Sequence, residues 1–169
     1  LLLNNLFNIL LLLESGGAIL VIILIASVLM WTMLIERYLF IYFTYPKQDK
    51  KTIAHWQQRS DRSSWYAHKI REGLIAENSA ALRHYLIPIQ TLIVALPMLG
   101  LLGTVVGMIQ TFDVLTVFGT GNARGMAGGI SVALITTMGG LLAALSGMYF
   151  ISHLEQRVTR TIDNLADSL

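Results

Sequence analysis

An all-α integral membrane protein, with three transmembrane helices that extend into the cytoplasm, is the fold that three observations predict for this chain. Tyr85 to Phe112 and Gly125 to Ser152 are two runs of 28 residues without a formal charge, each long enough for a hydrocarbon core of about 30 Å. A third apolar run, Ala18 to Ile35, is broken only by Ser27 and Thr32. Finally, 54% of the residues are hydrophobic and 13% charged, a balance suited to lipid rather than to a water-facing globule.

Taken in order, residues 1–15 are apolar apart from three asparagines and Glu14-Ser15, and read as a short helix lying in the membrane interface. The stretch has no basic n-region and no Ala-x-Ala site, which argues against a signal peptide. Glu14-Ser15-Gly16-Gly17 is a natural helix start, so residues 17–44 form the first span. Its inner end carries Glu36 and Arg37, followed by Tyr38, Phe40, Tyr42, Phe43 and Tyr45, the mixture of charge and aromatics that marks an interface. From composition alone, Glu36 and Arg37 are an interfacial anchor, with the arginine snorkelling toward water.

Residues 46–85 are too few to fold alone and must borrow a core from the bundle. Tyr66, Ile70, Leu74, Ala81 and Tyr85 suggest its buried stripe, with Ser60-Asp61 and Asn78-Ser79 as breaks or caps. The second span covers 86–118, with Pro88 and Pro97 early in it, where a proline kinks a helix and releases carbonyls. Asp113 near its outer end is either an ordinary interfacial carboxylate or a group at a channel mouth. A glycine-rich turn at 119–124 leads to the third span, 125–152. The tail, 153–169, has Leu154, Val158, Ile162 and Leu165 at helical spacing and continues that helix.

Basic residues set the orientation. Eight lie between Pro46 and Tyr85, two more in the tail at Arg157 and Arg160, and the 119–124 turn holds only Arg124. The N-terminus is therefore expected outside and the C-terminus in the cytoplasm.

Several function classes lose support. No cysteine is present, so neither a disulfide framework nor a thiolate site is available. A net charge of +2 is too small to point to nucleic acid. His55, His68, His84 and His153 have no metal-ligand spacing and read as surface residues. No nucleophile and base pair or phosphate loop is visible, so the chain reads as a non-enzyme without metal or cofactor.

The second and third spans are unusual in their small residues. Eleven of the 14 glycines lie between Leu96 and Gly147, and small-residue faces of this kind allow close approach. Gly100, Gly103, Thr104, Gly107 and Thr111 fall at helical spacing on one span. Ala133, Thr137, Gly140, Ala144 and Gly147 do so on the next. These faces are either packing seams or, with Thr104, Thr111, Thr136 and Thr137, the lining of a narrow polar path. A threonine can also satisfy itself on its own helix, so the hydroxyls do not decide between them.

The residues that do are ordered blocks. Pro97-Met98-Leu99-Gly100-Leu101-Leu102-Gly103-Thr104-Val105-Val106-Gly107-Met108 resembles the second-helix signature of the MotA/TolQ/ExbB proton-channel family. Gly129 to Thr137, continuing through Gly140-Leu141 to Ala143-Ala144, resembles its third-helix signature. The resemblance covers about a third of the chain closely and is nearest to an ExbB-type subunit of a TonB-ExbB-ExbD system.

That resemblance implies a ring-shaped homo-oligomer, a pentamer, in the bacterial inner membrane. It further implies an ExbD-like single-span partner bearing an intramembrane aspartate, and a TonB-like protein driven by the proton motive force. Thr104 and Thr137 match the family's pore threonines, and Glu36-Arg37 its charged pair at the first helix. Val132 stands where many ExbB and TolQ members place a glutamate, so the titrating carboxylate is expected from the partner. The runner-up is a TolQ-like envelope-maintenance motor, followed by a flagellar-stator-like subunit and a passive membrane scaffold. The orientation is directly testable: a cysteine in the R59C variant should react with an impermeant maleimide only from the cytoplasmic face.

Overall fold

A computed structural model of the chain describes residues 2–45, 52–54, 56, 64–119 and 122–168. Every element among them is helical: α1 (Leu2–Leu39), a π turn (Phe40–Thr44), α2 (Trp65–Arg83), α3 (Leu86–Phe118) and α4 (Ala123–Ser168). Three helical stretches, within Gly16–Phe43, Trp65–Phe118 and Ala123–Ser168, are long and apolar enough to cross a membrane. The chain is thus an all-helical membrane protein. It divides into two compact units, Leu1–Trp31 with Thr91–Met148, and Thr32–Gln90 with Tyr149–Leu169.

In the first unit, α1 breaks at Gly17, whose φ of 64° and ψ of −165° suit only a residue without a Cβ. The α3–α4 connection uses the same freedom at Gly119, with φ 65°. Asn122 then caps α4, its Oδ1 accepting from the Gly125 N–H at 3.1 Å. The cap starts α4 at Ala123, two residues ahead of the uncharged run, because the asparagine satisfies N–H groups that Gly125 could not.

Packing in this unit is set by the antiparallel α3 and α4. Ile93, Leu96, Ala133, Ala144 and Thr136 are buried, with Ile23 and Met30 of α1 against them in the core. The opposite faces hold Met98, Leu101, Val105, Leu134, Met138, Leu142 and Leu145, all more than half exposed, as expected of side chains solvated by lipid. Pro97 lies inside α3 without ending it.

The second unit joins the C-terminal end of α1, the π turn, α2, the start of α3 and the rest of α4. Leu34, Ile41, Ala67, Leu82, Ile89, Leu154, Val158 and Leu165 form its core. In the π turn the Tyr45 N–H bonds the Phe40 carbonyl, five residues back. α2 starts at Ser64, whose Oγ accepts from the Ala67 N–H at 3.3 Å.

Two expectations for this segment are corrected. Asn78-Ser79 does not break α2, because the Asn78 amide donates to the Leu74 carbonyl at 2.8 Å and the helix runs on. The buried stripe is also displaced: Ala67 and Leu82 are buried, while Tyr66 and Ile70 are exposed. Trp65 and Tyr66 pack edge to face with each other on the outer side. The small Ala67 carried too weak a signal beside two aromatic neighbours. Ser60-Asp61 and His55 lie outside the described residues.

The glycines differ in what surrounds them. A Cβ on Gly140 would sit 2.6 Å from the Leu96 carbonyl oxygen, whereas one on Gly128 would meet nothing within 4 Å. Gly140→Ala should therefore destabilise the fold. Gly128→Ala should stabilise it by up to about 1 kcal/mol, the helix-propensity difference. Unfolding in detergent followed by far-UV circular dichroism checks both signs.

Candidate functional site

The first site is the seam between α3 and α4. Gly100 faces Gly140, Gly103 faces Thr136, Gly107 faces Gly129 and Ala133, and Thr111 faces Gly129. A Cβ on Gly107 would lie 2.5 Å from the Gly129 carbonyl oxygen, and one on Gly129 would lie 2.6 Å from that of Gly107. Only hydrogen can occupy these positions. Beyond them, Gly147 receives Met30 and Ile93, its Cβ position being 2.5 Å from the methionine sulfur.

This geometry puts the small residues against one another within a single chain. The buried line on α4 is Ala133, Thr136, Gly140, Ala144 and Gly147, so Thr136 takes the centre and Thr137 the edge. On α3 the line is Gly100, Gly103, Gly107 and Thr111, with Thr104 at its edge. The sequence spacing puts Thr137 on the α4 line, and the structure puts Thr136 there instead, since three and four residues both return close to the same face. Gly129 was overlooked, though it continues the spacing of three and four by one more step.

The four threonines separate by burial and by bonding. Thr111 donates to the Gly107 carbonyl at 2.9 Å, and Thr136 to those of Val132 at 2.8 Å and Ala133 at 3.1 Å. Both are buried, at 5% and 0% exposure, and their hydroxyls serve their own helices. Thr104 is half-buried and donates to the Leu101 carbonyl at 2.6 Å. Thr137, also half-buried, lies within donating distance of Ala133 O on its own helix, at 3.0 Å, and of Gly100 O across the seam, at 3.1 Å. With their protons committed to carbonyls, Thr104 and Thr137 offer outward chiefly oxygen lone pairs.

Charge is absent at this depth. From Thr91 to Phe112 and from Gly125 to Ser152 the sequence holds no carboxylate, lysine, arginine or histidine. Asp113 is exposed, one turn or so short of the end of α3, and its backbone carbonyl accepts from Thr116 at 2.9 Å.

The second unit carries the remaining polar groups. Arg37 is buried rather than snorkelling, 3% exposed, with its guanidinium 4.9 Å from both the Phe40 and Tyr85 ring centroids. Its Nε has no hydrogen-bond partner and is 3.9 Å from Glu36 Oε2, too far for one. The two aromatic faces supply part of the compensation that a buried cation needs. Tyr85 itself takes a left-handed φ of 50° between α2 and α3. No local signal pointed to this pocket, because Arg37 and Tyr85 are far apart in sequence.

His153 is exposed, as a surface histidine should be, yet its ring stacks on Tyr38 and its Nδ1 is 3.0 Å from the phenol oxygen. Arg157 lies over the Tyr42 ring at 4.3 Å. The Gln90 amide donates to Glu155. Among the described residues no three histidine or acidic groups converge as a metal site.

Residues 47–167 match the MotA/TolQ/ExbB proton channel family. The chain is 43% identical over 63 residues to the ExbB-like 3 protein of Synechocystis sp., covering 36% of this chain and 30% of that protein. It is 43% identical over 77 residues to an ExbB homolog of Methanothermobacter thermautotrophicus, covering 46% and 27%. To the ExbB-like 1 protein of Synechocystis sp. it is 38% identical over 81 residues, covering 46% and 32%. The matched regions thus span about a third or less of each of these relatives.

Bonding predicts how the buried threonines respond to substitution. Thr136→Val removes a hydroxyl that serves its own helix and should change stability by less than about 1 kcal/mol. Thr136→Leu overpacks the place where Gly103 meets it and should cost about 1–3 kcal/mol. Denaturant titration of the two variants in detergent gives the order.

Proposed function

The chain belongs to the MotA/TolQ/ExbB proton channel family, and from that premise we propose that it is the channel-forming subunit of an energy-transducing complex in the bacterial inner membrane. The observation that carries this reading is the pair Thr104 and Thr137, half-exposed at the edge of a glycine-packed hairpin that has no charge at membrane depth. Such a wall can hold a proton carrier but cannot be one.

The carrier is an aspartate on the single transmembrane helix of an ExbD-like partner, seated inside a ring of copies of this chain, a pentamer by family likeness. Thr104 and Thr137 meet that carboxyl as acceptors. An acceptor binds the protonated acid and not the carboxylate, so the pair favours the neutral form and lifts the partner's pKa. A carboxyl that can be neutral inside the membrane can pass its depth. Thr111 and Thr136 serve the path indirectly, by closing the wall behind the two outer hydroxyls.

Transport follows from the proton's energy, about 2.3 kcal/mol per 100 mV of membrane potential. The relatives' names refer to biopolymer transport, and we assign this chain to the same task, driving a TonB-like protein for import across the outer membrane. Residues 46–85 and the end of α4 face the cytoplasm in this reading. No chemical turnover is involved. A TolQ-like role in envelope maintenance would use the same wall.

Liposomes loaded with a pH-sensitive dye test the proposal. The chain alone should pass no protons, and flux should appear with a one-span aspartate partner. Thr104→Val and Thr137→Val keep the side-chain shape and should leave assembly intact. Each should lower flux about five- to tenfold, the effect of losing roughly one hydrogen bond. Flux through the isolated chain would remove the partner carboxylate from the mechanism. Unchanged flux in both variants would remove the threonines.

A further inference from the structure

A cleft of about 440 Å³ opens in the second unit, lined by Arg83, Leu86, Gln90, Glu155, Val158 and Thr159 among others. Glu155 is the first carboxylate of α4 after the uncharged run that ends at Ser152. Gln90, near the start of α3, lies across from it, and the amide Nε2 donates to Glu155 Oε1. Arg83 is the other charged side chain lining the cleft among the described residues.

These features suit proton exchange with water. A neutral amide orients a carboxylate without neutralising it, and a volume of this size admits several water molecules. Because Gln90 engages one oxygen, the other is left to gain and lose the proton. The lining is mixed, with Leu86, Ile87 and Val158 as its apolar part, so the carboxylate stands at the boundary between apolar helix and solvated cleft.

We propose that Glu155, the first carboxylate beyond the uncharged run of α4, is the group that exchanges protons with water during conduction, held in position by Gln90. In the step, a hydrated proton protonates one carboxylate oxygen, giving the neutral acid and leaving water behind. That acid then returns its proton to cleft water and regains its charge, so atoms and charge balance without any further reactant. Gln90 is a positioning residue and takes no proton. This assignment rests on the channel reading above.

The test uses the full chain assembled with its one-span aspartate partner in dye-loaded liposomes. Glu155→Gln keeps the size and the contact with Gln90 and should lower flux about tenfold, less than is usual for a positioned acid–base group because water also reaches the cleft. Glu155→His replaces the titrating group: flux should be retained and its pH profile should move toward the imidazole range near about 6.5. A purely structural role would not move that profile. The inference is overturned if Glu155→Gln conducts like the wild type, or if Glu155→His leaves the pH dependence where it was. Wild-type complex that passes no protons would overturn the channel reading and this one with it. Wild-type flux together with unaffected Glu155 variants would overturn this one alone.

Discussion

Direct approach of two helix backbones is the constraint on which the first unit depends. In lipid, apolar side chains gain nothing by leaving the solvent for one another, so α3 and α4 associate through dispersion and polar contacts at short range. Gly100, Gly107, Gly129 and Gly140 provide that range, since any Cβ at these positions would press on a facing backbone. The bulky residues are then displaced outward, which accounts for Met98, Leu101, Leu134 and Leu142 on the exposed faces. Close packing also decides the hydroxyls: Thr111 and Thr136 have no room for water and turn to their own carbonyls.

The seam's chemistry is passive in an informative way. Its outer threonines present fixed acceptors against a background without charge, an arrangement that would be wasted on a proton path made only of this chain. A titrating group carried by another helix would move against a wall that does not itself titrate. In the proposed channel the wall can therefore keep one structure through both protonation states of the partner's carboxyl.

Much of this was legible in the residues. Uncharged runs marked the second and third membrane helices, because a single charge at membrane depth is costly enough to be visible by its absence. Spacing of small residues revealed the seam, and ordered blocks around Gly100-Thr104 and Ala133-Thr137 pointed to the family. The centre of the seam was not legible, since Thr136 and Thr137 differ by about 100° of rotation and only the facing Gly103 decides between them. Nor were Arg37 against Tyr85 or Gln90 against Glu155, because each pair is joined by tertiary proximity with no local pattern. In α2 the weight of Tyr66 misled, as an aromatic at an interface need not be buried.

The π turn at Phe40–Thr44 has a further consequence for how α1 tolerates change. Four residues overshoot a turn of α-helix by about 40°, but fall slightly short of a turn when the winding is wider. The π turn thereby keeps Ile41 and Tyr45 buried on the side begun by Leu34 and Arg37. It is in effect one residue of slack stored in the chain. A deletion within those five residues could be absorbed by rewinding to an ordinary α-helix, which leaves Tyr45 three residues from Ile41 and still close to the same face. The segment thus tolerates a change in length by one residue: a homologous chain could shorten the helix here and keep its inner face close to its present placement.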